Sequence, residues 1–241
     1  ATQKLVHSPV YLSDPRYLAT AISRFTQNLQ WQEAVQIVMD SQSHQVEVSV
    51  MSYNSIISLC GKSTQWKRAL CMLMGMQEND LRPSVVSYNA AISACSKSGQ
   101  WEQALSVLKE MHHEDVTPNV ISFNAAISAC EKEGHWEQAL QLVRELEERH
   151  LKPDTISYNS AISSCGKGAQ WRQALGLLIE MQGKDLKPNV ISYNSVISAC
   201  EKSEQWEVAL ALLVRMQRDS LRPDVIAYNA AISACEKGKR W

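Results

Sequence analysis

The sequence predicts an all-α superhelical solenoid of antiparallel helix pairs, and three observations carry that reading. Seven tryptophans stand at Trp31, Trp66, Trp101, Trp136, Trp171, Trp206 and Trp241, every gap being 35 residues. Six of the seven cysteines keep the same step, at Cys60, Cys95, Cys130, Cys165, Cys200 and Cys235. So do five prolines, at Pro83, Pro118, Pro153, Pro188 and Pro223. Between these markers the apolar residues recur at helical rather than strand spacing. A fixed period of this length signals units that cannot bury their apolar faces alone and stack to do so.

Placing each unit just after its Pro-x pair orders the chain. Residues 1–14 are an N-terminal flank and 15–49 a degenerate, capping repeat. Full repeats follow at 50–84, 85–119, 120–154, 155–189 and 190–224, then a truncated one at 225–241. A natural solenoid ends in an atypical capping unit, so further sequence is expected after Trp241. Repeat 120–154 shows the elements. Ser122 is a candidate N-cap, its hydroxyl able to take an orphan amide. Phe123, Ala126, Ile127 and Cys130 form one helix face; Lys132 closes the helix, and Glu133-Gly134-His135 reads as a turn. Trp136, Ala139, Leu140, Val143 and Leu146 give a second helix, which Leu151-Lys152-Pro153 ends, because proline lacks an amide and restricts its predecessor. The small Ala91, Ala126, Ala161 and Ala231 allow first helices to approach closely, and the tryptophans are expected to fill the wider gap beside the second helices.

Composition excludes several classes. Of 241 residues 45% are hydrophobic, and 24 basic residues face 25 acidic ones. Such a chain is too apolar and too neutral to be disordered, and it cannot clamp nucleic acid by bulk charge. No apolar run approaches the roughly 18 residues of a membrane span. The regular cysteines, on the apolar face, read as core thiols; their spacing matches no zinc or redox pair, and the odd count argues against a disulfide scaffold. Cys71 lies off the ladder. His112 and His113 are adjacent, and no histidines stand four apart to share a metal. Nucleotide-binding and nucleophile motifs are absent. The chain is therefore read as a non-enzyme with no metal and no cofactor.

What the repeat offers instead is polar ladders. An aromatic at Tyr53, Tyr88, Phe123, Tyr158, Tyr193 and Tyr228 is followed each time by Asn54, Asn89, Asn124, Asn159, Asn194 and Asn229. If the aromatic is buried, the asparagine is turned about 100° away from it, onto an open face or edge. An amide presents a donor and an acceptor together, as a base edge does. Lys62, Lys97, Lys132, Lys167, Lys202 and Lys237 stand eight residues further along and could follow a phosphate backbone in a protein of no excess charge. A local reading stands beside this one: asparagine near a helix start satisfies backbone groups, and lysine near a helix end favours the dipole. The unit-ending residue varies, as Ser84, Asn119, Asp154, Asn189 and Asp224, which suits either a selector or a tolerant turn.

The string Val-Ile-Ser-Phe-Asn-Ala-Ala-Ile-Ser-Ala-Cys-Glu-Lys, then Trp-Glu-Gln-Ala-Leu and a closing Leu-x-Pro-Asn or Leu-x-Pro-Asp, resembles the pentatricopeptide repeat family, strongly over 50–241 and weakly over 15–49. The resemblance implies a right-handed superhelix that binds single-stranded RNA, one base per repeat. It assigns base selection to the first-helix asparagine with the closing residue: Asn54 with Ser84, Asn89 with Asn119, Asn124 with Asp154, Asn159 with Asn189, Asn194 with Asp224, and Asn229 unpartnered. Met51, Val86, Ile121, Ile156, Ile191 and Ile226 would sandwich the bases, and the six lysines would meet phosphate. The family's pairings imply the tract C, C/U, U, C/U, U, written 5′ to 3′ along the chain. The first repeat departs from this pattern: Ala19 and Ser49 hold the selecting positions and Arg16 the sandwich position. The implied role is organellar RNA stabilisation, processing or translation, in mitochondrion or chloroplast. The alternative is a scaffold subunit of an organellar ribonucleoprotein or membrane-associated assembly whose surface contacts protein.

Overall fold

The computed structural model describes residues 15–44 and 46–239, without the side chains of Pro15, Arg16 and Gln42. The flank 1–14, the sandwich position at Arg16 and the last tryptophan, Trp241, therefore lie outside the described residues or side chains. Among the described residues there are thirteen α-helices and no strand: α1 Pro15–Gln27, α2 Trp31–Ser43, α3 Val50–Lys62, α4 Trp66–Glu78, α5 Val85–Lys97, α6 Trp101–His113, α7 Val120–Glu131, α8 Trp136–Glu148, α9 Thr155–Lys167, α10 Trp171–Gly183, α11 Val190–Lys202, α12 Trp206–Arg218 and α13 Val225–Lys237. The fold is an all-α repeat solenoid. No helix among the described residues is long and apolar enough to cross a membrane.

The chain forms two compact units, Ala1–Pro118 with α1–α6 and Asn119–Trp241 with α7–α13. Within each unit, first helices pack on their own second helix and on the next first helix, and each second helix packs on the next first helix. Tyr158, Ala161, Ile162 and Cys165 of α9 are fully buried at these contacts, as are Tyr88, Ala91, Ile92 and Cys95 of α5.

The helix starts correct one expectation. The helix after Pro118 begins at Val120, and its cap is Asn119 rather than Ser122: the Ser122 amide donates to Asn119 Oδ1 at 3.1 Å, and the Asn119 amide donates to Ser122 Oγ at 3.1 Å. Asp154 with Ser157 and Asn189 with Ser192 repeat this reciprocal capping box. The unit-ending residue is thus the N-cap of the next first helix. Both serine and asparagine can cap, and spacing from the apolar face cannot say which does. Helices end on a left-handed residue, for example Gly99 and Gly134 at φ 75° and 76° but Ala169 at φ 55° and Asp185 at φ 58°. The non-glycine versions carry a cost of about 1–2 kcal/mol.

The six described tryptophans are half-buried rather than enclosed. The Trp136 indole lies against the turn closing α9, where a Cβ on Gly168 would stand 2.6 Å from its Cδ1; Trp206 covers Gly238 in the same way. Each of these indoles therefore covers the turn that ends the next first helix.

Burial pushes the ladder thiols up from 9.0, to about 11 for Cys60, Cys95 and Cys200 and to about 12 for Cys130 and Cys165. Cys71 is exposed. Above pH 9.0 the unfolded chain releases protons that the fold retains, so this stabilisation is full below pH 9.0 and declines as pH rises toward 11–12. Melting temperature is expected to fall over that interval. In the native protein at mildly alkaline pH, alkylation followed by mass spectrometry should mark Cys71 and spare these five until unfolding.

Candidate nucleic-acid interface

The capping box brings most of the second unit's selecting pairs together. Asn124 Nδ2 donates to the Asp154 carboxylate at 3.1 and 3.2 Å, and Asn194 Nδ2 to that of Asp224 at 3.1 and 3.1 Å. Asn159 Nδ2 reaches Asn189 Oδ1 at 3.4 Å. In the first unit, Asn54 and Ser84 do not bond: the Ser84 amide donates to Ser87 Oγ at 3.0 Å, the two hydroxyls lie 3.2 Å apart, and Asn54 Oδ1 is buried without a partner. Asn89 and Asn119 belong to different units. Asn229 is exposed on α13. Ala19 and Ser49, in place of an amide pair, line an open depression of about 260 Å³ with Met51 and Ser55.

Capping also decides which atom each closing residue turns outward. A backbone amide only donates, so the Ser192 amide, 3.1 Å from Asn189, fixes the Asn189 oxygen inward. Its Nδ2 is then the group left over. At Asp154 the Ser157 amide takes Oδ1 at 2.9 Å, and Oδ2 remains as an acceptor shared only with Asn124. Helix-start chemistry thereby converts a residue change from Asp to Asn into a change from outward acceptor to outward donor.

A third member of the network was read from the sequence only as a cap. Ser157 Oγ donates to Asn124 Oδ1 at 2.5 Å, and Ser192 Oγ to Asn159 Oδ1 at 2.5 Å. The recurrence of serine at Ser52, Ser87, Ser122, Ser157 and Ser192, broken at Ala227, is the signal that marks it.

One exposed apolar side chain sits three residues before each asparagine. Met51 is 78% exposed, and Val86, Ile121, Ile156, Ile191 and Ile226 lie between 60% and 64%. Each occupies the second position of its helix, α13 included, on a surface that helix packing leaves open.

All six ladder lysines are exposed. Lys167, Lys202 and Lys237 meet the preceding first helix. Lys202 Nζ donates to the carbonyls of Gly166 at 3.0 Å and Lys167 at 3.4 Å, Lys167 Nζ reaches the Lys132 carbonyl at 3.5 Å, and Lys237 pairs with Glu201 at 3.0 Å. The Lys167 and Lys202 ammonium groups meet carbonyls at the C-terminal end of the preceding first helix, a dipole contact between repeats rather than within one, whereas Lys237 meets a carboxylate there. At the other end of the pairs, Tyr158 bonds Glu180 and Lys184 at 2.7 Å each, and Tyr193 bonds Asp219. Burial, then the Asp219 carboxylate, raises the Tyr193 hydroxyl to about 12. Among the described residues no group of three or more His, Cys, Asp or Glu is placed to hold a metal.

Fold and geometry together define an α-helical repeat protein that displays, on α7, α9 and α11, one polar pair and one apolar side chain per repeat. The pentatricopeptide repeat domain model matches residues 36–98, 72–133 and 176–238, and related models of the same repeat match 118–167 and 156–186. The chain belongs to the pentatricopeptide repeat family. Among solved structures it is similar to the pentatricopeptide repeat protein PPR10 from maize, with 23% identity and a TM-score of 0.67 over 90% of this chain and 31% of that one. PPR10 in complex with an 18-nt psaJ RNA element matches at 21% identity and TM-score 0.55, over 91% and 36% of the two chains. The PPR domain of Arabidopsis thaliana protein-only RNase P 1 in complex with tRNA matches at 15% identity and TM-score 0.63, over 75% and 95%. The chain thus spans about a third of the PPR10 chains. No curated protein matches it by sequence.

Because Asp154 caps α9, Asp154→Ala is expected to destabilise the protein by about 1 kcal/mol and Asp154→Asn by a few tenths at most. Urea unfolding followed by circular dichroism checks both, and equal losses would contradict the cap assignment.

Proposed function

We propose that the chain binds single-stranded RNA with one base per repeat, selecting a pyrimidine tract C, C/U, U, C/U, U in the 5′ to 3′ direction. The observation that carries this reading is the pairing, on α7, α9 and α11, of an exposed branched apolar side chain with an asparagine bonded to the following closing residue. Ile121, Ile156 and Ile191 offer apolar faces against which a splayed base loses water. The pair beside each then meets the base edge.

The expected selectivity follows from donors and acceptors. Uracil presents an N–H flanked by carbonyls; it can donate to Asp154 Oδ2 while accepting the second N–H of Asn124. Cytosine places a ring lone pair where uracil has that N–H, and the carboxylate repels it. Asn189 turns an Nδ2 outward instead, which a cytosine lone pair accepts. Lysines of the first-helix ends supply sequence-independent attraction, with Lys167, Lys202 and Lys237 sharing that role with their contacts to the neighbouring helix. The PPR10 and RNase P complexes, with an 18-nt RNA element and with tRNA, support RNA as the partner class. Stabilisation, processing or translation of an organellar transcript is the proposed biological role.

Fluorescence anisotropy against two labelled decamers, one U/C-rich and one A-rich, tests the proposal at physiological salt. At least about tenfold tighter binding to the pyrimidine strand, or about 1.4 kcal/mol, is expected. Binding to neither strand would point to a protein-contacting scaffold; equal binding would leave only the lysines at work. Asn124→Ala should weaken uracil at the third base by about 1–3 kcal/mol, and Asp154→Asn should move that position toward cytosine. Lys132→Ala should weaken all sequences alike and lower the salt slope by roughly 0.7.

A further inference from the structure

We infer that Ser157 and Ser192, the third residues of α9 and α11, are positioning residues for base selection, and that Ala227 leaves Asn194 with Asp224 as the least selective pair of the second unit. The inference rests on the base-reading proposal and deepens it.

A side-chain amide looks alike from both ends, so a reader built on asparagine needs something to decide which end faces the base. In the Asn159–Asn189 pair the decision passes through Ser192. Its amide fixes Asn189 Oδ1 inward at 3.1 Å, which draws the Nδ2 end of Asn159 toward that oxygen. Its hydroxyl receives the Asn189 amide at 3.0 Å, and of the two acceptors its own proton can reach, Asn159 Oδ1 at 2.5 Å is nearer than Asn189 Oδ1 at 3.1 Å. Both ends of the Asn159 amide are then held. Asn124 is held likewise, by Asp154 at one end and Ser157 at the other.

The chain carries its own comparison. At the matching position of α13 the residue is Ala227, and Asn194 Oδ1 is buried with no partner, although Nδ2 still bonds Asp224. Its cap survives, since the Ala227 amide donates to Asp224 Oδ1 at 2.9 Å. Capping and positioning are therefore separable in the second unit: the backbone amide caps, whereas the hydroxyl orients where it reaches the asparagine; Ser87 in the first unit lies against Ser84 instead, and Asn54 Oδ1 is left unpartnered. An unpartnered buried oxygen favours any rotation that reaches water or a ligand donor. Asn194 is held at its Nδ2 end alone, so its amide can pivot about the Asp224 contact and bring its oxygen to a donor such as the cytosine amino group, beside the uracil that Asp224 favours.

Two measurements test this. The first needs no RNA: NMR relaxation of the asparagine side-chain amides. Asn194 is expected to be more mobile than Asn124 and Asn159, Ser157→Ala should loosen Asn124, and Ser157→Thr, which keeps the hydroxyl, should not. Equal order at Asn124 and Asn194, unchanged by Ser157→Ala, overturns the inference. The second measures the ratio of uracil to cytosine affinity at the third and fifth bases. Ser157→Ala should reduce the ratio at the third base by about threefold or more, part of one hydrogen bond's worth. Ala227→Ser should raise it at the fifth by a similar factor; neither change should alter the other position. Unfolding midpoints separate this effect from stability, and Ala227→Ser adds a bond to an intact cap and so keeps the test open if Ser157→Ala folds poorly. A wild-type protein that does not distinguish the two bases at the third position refutes base reading itself. One that does, with a ratio indifferent to Ser157→Ala and Ala227→Ser, refutes the positioning role alone.

Discussion

The hydrogen bond from the third backbone amide of a first helix to the residue closing the preceding repeat is the constraint from which much else follows. It starts the helix, fixing where the 3.6-residue period begins and hence which residues face the neighbouring helices. Tyr158, Ala161, Ile162 and Cys165 are buried together because their spacing puts them on one face, and the start at Thr155, with Asp154 as cap, brings all four into α9. The same start sends Ile156 outward, 60% exposed, and places Asn159 beside the next cap, Asn189.

The period, the two helices per unit and the buried face were legible because they are written in residues with few alternatives. Tryptophan, proline and cysteine recurring every 35 residues admit few other folds. The hydrogen-bond assignments were less legible. Ser122 and Asn119 can each cap a helix, and they stand three residues apart, the separation at which each also satisfies the other. Sequence spacing therefore names the pair without naming the roles. The lysines pose a similar difficulty: a cation near a helix end suits its own dipole, yet Lys202 reaches Gly166 on the preceding first helix. Contacts made between repeats have the same residue types and the same period as contacts made within one.

Duplication also hides function. When a unit is copied, packing residues, caps and any reading residues are copied alike, and identity between repeats cannot separate them. The places where copies differ are more informative. Ala227 departs from a serine that the five preceding repeats retain, and Asn194 Oδ1, which Ser157 and Ser192 satisfy at Asn124 and Asn159, is unpartnered there. Likewise Phe123 replaces the tyrosine of its ladder without loss of burial, so the hydroxyl is not what fills the core.

The closing position shows why variation is tolerated where it occurs. An N-cap that supplies a side-chain oxygen to a backbone amide is drawn from Ser, Thr, Asn and Asp. Within that set the inward oxygen is common to Asp154 and Asn189, and only the outward group differs, an oxygen in one and an amino group in the other. The fold senses the inward atom and a ligand would meet the outward one. Substitution between Asp and Asn can therefore change what the groove offers while leaving the helix start intact, a separation that serine, with one oxygen for both tasks, cannot provide. Ser84, whose hydroxyl lies 3.2 Å from Ser87 and which makes no bond to Asn54, has nothing comparable left over to present. Under the proposed base reading, selectivity at the first base would rest on Asn54 itself, whose unpartnered oxygen is an acceptor suited to the cytosine amino group.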